Sequence, residues 1–141
     1  MSDPTPNTGA AIEWLRAWHG PEGPWLVVEI DPSVENPTVP ARRFTTESAL
    51  REYLDDRNGI VNLYFVPNVI EGSPRTTPKK EEIILLLATY VDLDLPKKGP
   101  HSTPTPENFD RLLGRIHALH PAPTAIIYSG GGYQAFWRFV I

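Results

Sequence analysis

Two carboxylates, Asp92 and Asp94, close the most apolar run of the chain, residues 83–95, in the stretch Tyr90-Val91-Asp92-Leu93-Asp94-Leu95. Residues two apart on a strand point to the same face. At a rise of about 3.3 Å per residue, their Cβ atoms would stand roughly 6.5–7 Å apart. Two anions held that close repel unless a cation lies between them. Mg²⁺ or Mn²⁺ is the natural occupant, because hard divalent ions take oxygen ligands. The alternative is a surface strand end where Asp merely favours a turn. Against it, Val91, Leu93 and Leu95 are expected to fill the opposite, core-facing side. Asp-x-Asp after an apolar run also fits metal-dependent glycosyltransferases and phosphatases with an aspartyl nucleophile. The phosphatase pattern wants Thr or Val two positions beyond the second Asp, where Pro96 stands. No G-x-x-x-x-G-K-[ST] sequence is present, which excludes a P-loop enzyme.

A second constellation follows at Ser129-Gly130-Gly131-Gly132-Tyr133-Gln134-Ala135-Phe136-Trp137-Arg138. Consecutive glycines between two strands allow positive φ and close approach by a ligand, and their N–H groups can form an anion-binding nest. The bland reading is a hairpin turn. In the strand beyond, Gln134, Phe136, Arg138 and Val140 share one face, while Tyr133, Ala135, Trp137, Phe139 and Ile141 form an apolar, core-like set. Gln134 can donate or accept, and Arg138 suits a phosphate. Lys97 and Lys98 directly follow the Asp pair, and Arg75, Lys79 and Lys80 precede the central strand. Each reads first as a solvated loop cation, and next as a phosphate or nucleic-acid contact. His117 and His120, spaced i and i+3, read as helix-end residues rather than metal ligands.

Elements must position these groups. Apolar spacing predicts helices over residues 10–19 and 46–57, the second capped by Thr45 or Thr46, and a third opened by Thr105-Pro106-Glu107, carrying Phe109, Leu112, Leu113 and Ile116 on one face and ending before Pro121. Strands are expected at 25–30, 60–66, 83–95, 124–128 and 133–141, with Pro-rich loops at 31–40, 67–80 and 96–106. The fold class is therefore α+β. Residues 1–9 read as a disordered N-terminus and residues 10–141 as one domain. The last strand stops without a turn signal, which reads as a C-terminally truncated domain.

The bulk properties narrow the class. With 13 Lys+Arg against 17 Asp+Glu, the net charge of −4 excludes a generic polyanion binder, so any nucleic-acid contact needs a local patch. The absence of cysteine excludes disulfides and thiolate metal sites. No signal-peptide pattern and no spanning apolar run is present, so a soluble, cytoplasmic protein without membrane contact is the expectation.

Taken together, the apolar strand ending Val91-Asp92-Leu93-Asp94, a helix of about three turns, and Pro-x-x-Ile-Ile-x-Ser-Gly-Gly-Gly-Tyr-Gln-x-Phe-Trp-Arg resemble the primase-polymerase domains of plasmids, phages and mobile elements. These belong to the archaeo-eukaryotic primase superfamily, and the likeness is greatest to its plasmid replication-primase branch. The helix around Trp14–Trp18 and Asn62-Leu63-Tyr64-Phe65-Val66-Pro67-Asn68 also resemble its early elements, so the likeness covers residues 10–141.

The resemblance implies an RRM-like catalytic core of mixed or antiparallel sheet with flanking helices, preceded by a smaller α/β unit. It implies a metal-dependent nucleotidyltransferase, a DNA primase or polymerase, using nucleoside triphosphates on a single-stranded DNA template, with a helicase domain or protein as a partner. Asp92 and Asp94 match the motif that binds two Mg²⁺ or Mn²⁺ ions and is catalytic. Ser129 and Gln134 match the motif that contacts the nucleotide's phosphates, with Gly131, Gly132 and Arg138 completing the cradle. The family usually carries His where Gln134 stands, and a third carboxylate is expected beyond Ile141. These departures raise a second possibility, a catalytically reduced module that binds single-stranded DNA for a replication protein. An Asp-x-Asp glycosyltransferase ranks third.

Overall fold

In the computed structural model, residues 5–139 are described, and Val140 and Ile141, assigned above to the last strand, lie outside them. The chain divides into two compact units, with the boundary between Leu85 and Leu86.

The first unit opens with helix α1 (Thr8–His19), whose first turn is closed by the Asn7 side chain accepting from the Ala10 amide. Strand β1 (Trp25–Ile30) is followed by β2 (Ala41–Phe44), helix α2 (Glu47–Arg57) and β3 (Asn62–Phe65). The sheet order is β2-β1-β3, all antiparallel. Trp25, Leu26, Val27 and Val28 are all buried, because β1 is covered on both faces. Trp25 and Val27 join Ile12 and Leu15 of α1 and Leu50, Tyr53 and Leu54 of α2. Leu26 and Val28 face the other way, onto Ala41 and Ile70. Strand β4 (Val69–Ile70) pairs with β5 (Ile83–Leu85), and a turn of 3-10 helix, Lys80–Glu82, precedes β5.

Beneath α2 lies a polar network. Glu29 accepts from the Tyr53 hydroxyl at 2.7 Å and from the Arg57 guanidinium. The Arg57 hydrogen bond, helped by that of Tyr53, holds the Glu29 carboxyl below its ordinary range against the opposing effect of burial. Burial and then Glu29 push the Tyr53 phenol well above its usual range, so it stays a donor. Because Glu29 has a lowered folded-state pKa, its contribution is present above the ordinary carboxylate value of 4.5 and is lost as pH falls through the folded value. Glu29→Gln is expected to flatten the acid limb of the stability curve below that pH, and Tyr53→Phe to cost about 1–2 kcal/mol at neutral pH. Urea titrations across the acid range check both. An unchanged acid limb in Glu29→Gln would show that the network does not govern acid unfolding.

The second unit runs β6 (Ala88–Asp94), helix α3 (Pro106–His117), β7 (Ala125–Tyr128) and β8 (Gly132–Arg138). Thr105 caps α3 by accepting from the Asn108 amide, and Pro106 sits in its first turn. The sheet order is β6-β8-β7, with both pairings antiparallel. Strands β6 and β7 are therefore parallel, joined through α3, with β8 inserted between them, a split βαβ arrangement. Phe109 of α3 meets the rings of Tyr128 and Tyr133 edge-on, at 5.6 and 6.3 Å. These tyrosines oppose each other, and Tyr133 also opposes Leu93, so α3 covers the Leu93 face of the sheet.

Three expectations change. The run 83–95 is two strands in two sheets, interrupted at Leu86 and Leu87, because β5 pairs with β4 and β6 with β8. Val91 is 39% exposed and Leu93 and Leu95 only half-buried, since among the described residues β6 is an edge strand with one neighbour. In β8 the division into polar and core faces also fails: Phe136, on the Gln134 face, is buried, while Tyr133 and Trp137 are half-buried and Phe139 is exposed.

Candidate functional site

The antiparallel register of β6 and β8 sets Asp92 opposite Gln134 and Asp94 opposite Gly132. Cross-strand partners share a face, so both carboxylates and the Gln134 amide stand on the side away from α3. Two motifs some forty residues apart in sequence thus face each other across two alternate rungs of one ladder. The carboxylates are exposed and Gln134 is half-buried.

The glycines form the end of this site. Ser129 donates its amide to the Gly132 carbonyl at 2.9 Å, closing a tight hairpin with Gly130 and Gly131 at its tip. Gly130 has a φ of 96°, the positive value a type II′ turn requires at its first central position. The Tyr128 hydroxyl donates to the Gly130 carbonyl at 2.9 Å, and the Leu95 amide reaches the Gly131 carbonyl at 3.4 Å. The hairpin is thereby laid across the end of β6 where Asp94 stands. Gly131 is close enough that an added Cβ would lie 3.9 Å from the Asp94 Oδ1.

Other candidates fall elsewhere. Arg138 shares the face but opposes Ala88, four residues and about 13 Å along the strand from Gln134. Lys97 and Lys98 are exposed, in the loop leaving β6. Asp110 belongs to the α3 side: with burial as the larger cause, it raises the phenol pKa of Tyr133. It therefore cannot join Asp92 and Asp94 through the sheet. His117 lies in the last turn of α3, where its charged form suits the helix dipole. Among the described residues, no group of three or more His, Cys, Asp and Glu side chains is placed to hold a metal.

The donor set still suits a hard divalent ion. Mg²⁺ keeps several waters and is bound through one or two carboxylates plus substrate phosphates. Asp92 and Asp94 supply such carboxylates, and the Gln134 side chain adds a neutral amide beside them. Tyr90 is the residue that sequence reasoning passed over. It precedes Asp92 by two positions, shares its face, and stacks on Phe136 with centroids 5.5 Å apart. The period-two alternation already placed it there.

The first unit carries a cavity of about 290 Å³ lined by residues including His19, Leu26, Arg43, Ile70 and Ile84. None of the residues singled out for chemistry lines it. No helix among the described residues is long and apolar enough to cross a membrane. No protein-family model, no curated protein and no solved structure matches this chain.

Proposed function

We propose that the second unit carries the metal and nucleotide site of a nucleotidyltransferase of the primase-polymerase kind, acting in replication of a plasmid, phage or mobile element. The observation that carries the reading is the register: Asp92 against Gln134, and Asp94 against Gly132, on the sheet face opposite α3. The β6-α3-β7-β8 path with order β6-β8-β7 fits the RRM-like core that the sequence resemblance implies.

In this reading Asp92 and Asp94 hold Mg²⁺ or Mn²⁺. Ions held there would supply charge neutralisation and lower the pKa of a 3′-hydroxyl, the chemistry of two-metal phosphoryl transfer. The protein's own work is positioning and electrostatics. The hairpin Ser129–Gly132 presents backbone N–H groups to the triphosphate, and its small residues let phosphate come close. Gln134 donates to a phosphate oxygen from the position opposite Asp92. Arg138, Lys97 and Lys98 act at longer range on the strand backbone. A single-stranded DNA template, a helicase partner and a cytosolic setting go with this reading.

Two features favour a second reading, a reduced DNA-binding module. Gln134 brings no positive charge to the phosphates, and no third carboxylate joins the pair among the described residues. Isothermal titration with dNTPs, with UDP-sugars and with single-stranded DNA separates the readings. Nucleotidyltransferase chemistry predicts dNTP binding that needs Mn²⁺ or Mg²⁺ and vanishes in EDTA. DNA binding that survives EDTA with no dNTP binding would leave the binding module, and preference for the UDP-sugar would point to glycosyl transfer.

A further inference from the structure

We propose that Tyr90 is the stacking platform for the terminal base of the strand whose 3′-hydroxyl reacts at Asp92 and Asp94, an inference that rests on the nucleotidyltransferase reading above. The groups lie in a fixed order along the sheet face. The glycine hairpin and Asp94 are at one end, Asp92 and Gln134 come next, and Tyr90 with Phe136 follows. In-line phosphoryl transfer puts the leaving pyrophosphate and the attacking hydroxyl on opposite sides of the reacting phosphorus. With the triphosphate tail over the hairpin, the attacking strand arrives from the Asp92 side, toward Tyr90. The Cβ atoms of Tyr90 and Asp92 are roughly 6.5–7 Å apart, a span that one nucleoside bridges.

The ring is built for that use. It stacks on Phe136 at an incline, with 5.5 Å between centroids and 29° between planes. Phe136 is 1% exposed and cannot receive a ligand, whereas Tyr90 is 48% exposed. A tyrosine held against a buried ring while still about half exposed loses little freedom when a base stacks on it. The neighbouring positions of β7 on this face, Ala125 and Ile127, offer no ring. Stacking tolerates any base, as a strand terminus of variable sequence requires. A bare packing role for Tyr90 accounts for the Phe136 contact, but not for a ring left about half exposed two positions from Asp92 on the same face.

The test uses the whole chain with Mn²⁺ and a primer–template carrying 2-aminopurine as the primer's 3′-terminal base. Quenching is expected in the wild type and in Tyr90→Phe, and its loss in Tyr90→Leu, which keeps an apolar contact with Phe136. Primer affinity should fall roughly tenfold in Tyr90→Leu, with Mn²⁺-dependent dNTP affinity within about twofold. The unaltered protein gives an independent readout: a primer with an abasic 3′ terminus should bind roughly tenfold more weakly than an intact one. Equal quenching in Tyr90→Leu, or equal binding of abasic and intact termini, would overturn the assignment of Tyr90 and leave the metal site standing. Failure of the wild type to bind Mn²⁺ and dNTP would instead remove the reading beneath it.

Discussion

The double substitution Asp92→Asn, Asp94→Asn is expected to abolish Mg²⁺- or Mn²⁺-dependent nucleotide incorporation without harming the fold. Asn keeps the shape and removes the charge that holds the cations. Metal stabilisation of transferring phosphoryl groups is worth several kcal/mol, and each 1.36 kcal/mol is tenfold in rate, so the loss should be roughly 10³-fold or more. The effect on stability should have the opposite sign. Both carboxylates are exposed and share one face of an edge strand, where they repel each other. Neutralising them should leave the melting temperature unchanged or slightly raised without metal. Added Mn²⁺ should raise it for the wild type alone, because a ligand stabilises only the state that binds it. Activity assays and thermal melts with and without Mn²⁺ check the two halves together. Incorporation at the parental rate in the double variant would take the pair out of the site.

Gly132→Ala should be strongly damaging to the second unit. A Cβ at Gly132 would lie 2.0 Å from the Leu93 carbonyl oxygen and 2.7 Å from the Asp94 Cα. Both are backbone atoms of the facing strand, so no side chain can swing aside. Either β8 separates from β6 at the rung holding Asp94, or the hairpin is rebuilt. Overpacking a well-packed site commonly costs about 1–3 kcal/mol and occasionally more, and a clash with backbone belongs at about 3 kcal/mol or above. Against the ~5–15 kcal/mol that holds a typical domain, that is a large fraction. Gly131→Ala is the control, since its Cβ would make an ordinary contact 3.9 Å from Asp94. Urea denaturation should show a large drop in midpoint for Gly132→Ala and a change of about 1 kcal/mol or less for Gly131→Ala. Comparable effects from the two would mean that the strands can part without penalty.

The elements most legible in the sequence are those with a local signature. Thr105-Pro106-Glu107 opens α3 because cap, proline and early acid each satisfy the first turn. Trp25–Ile30 is read correctly as a strand because apolar β formers run unbroken through it. Strand β2, Ala41–Phe44, was not legible: Arg42 and Arg43 interrupt its apolar pattern, and it is a strand because β1 supplies its hydrogen bonds. Strand β4 lies inside a stretch that reads as loop for the same reason, being two residues paired to β5. The break at Leu86 and Leu87 is hidden because apolar composition continues through it, while the hydrogen bonds pass from one sheet to another.

The candidate site divides along the same line. Alternation along a strand has a period of two, so the sequence alone determined that Asp92 and Asp94 share a face and that Gln134 shares one with Phe136. Three glycines in a row likewise marked a turn between two strands, free of Cβ crowding, with a hairpin as one of its readings. Which strand lies beside β6, and in what register, depends on burial summed over residues distant in sequence. No local pattern carries that information. Only the tertiary structure set Asp92 against Gln134, laid the hairpin across Asp94, sent Asp110 to the far side of the sheet with α3, and propped Tyr90 on Phe136.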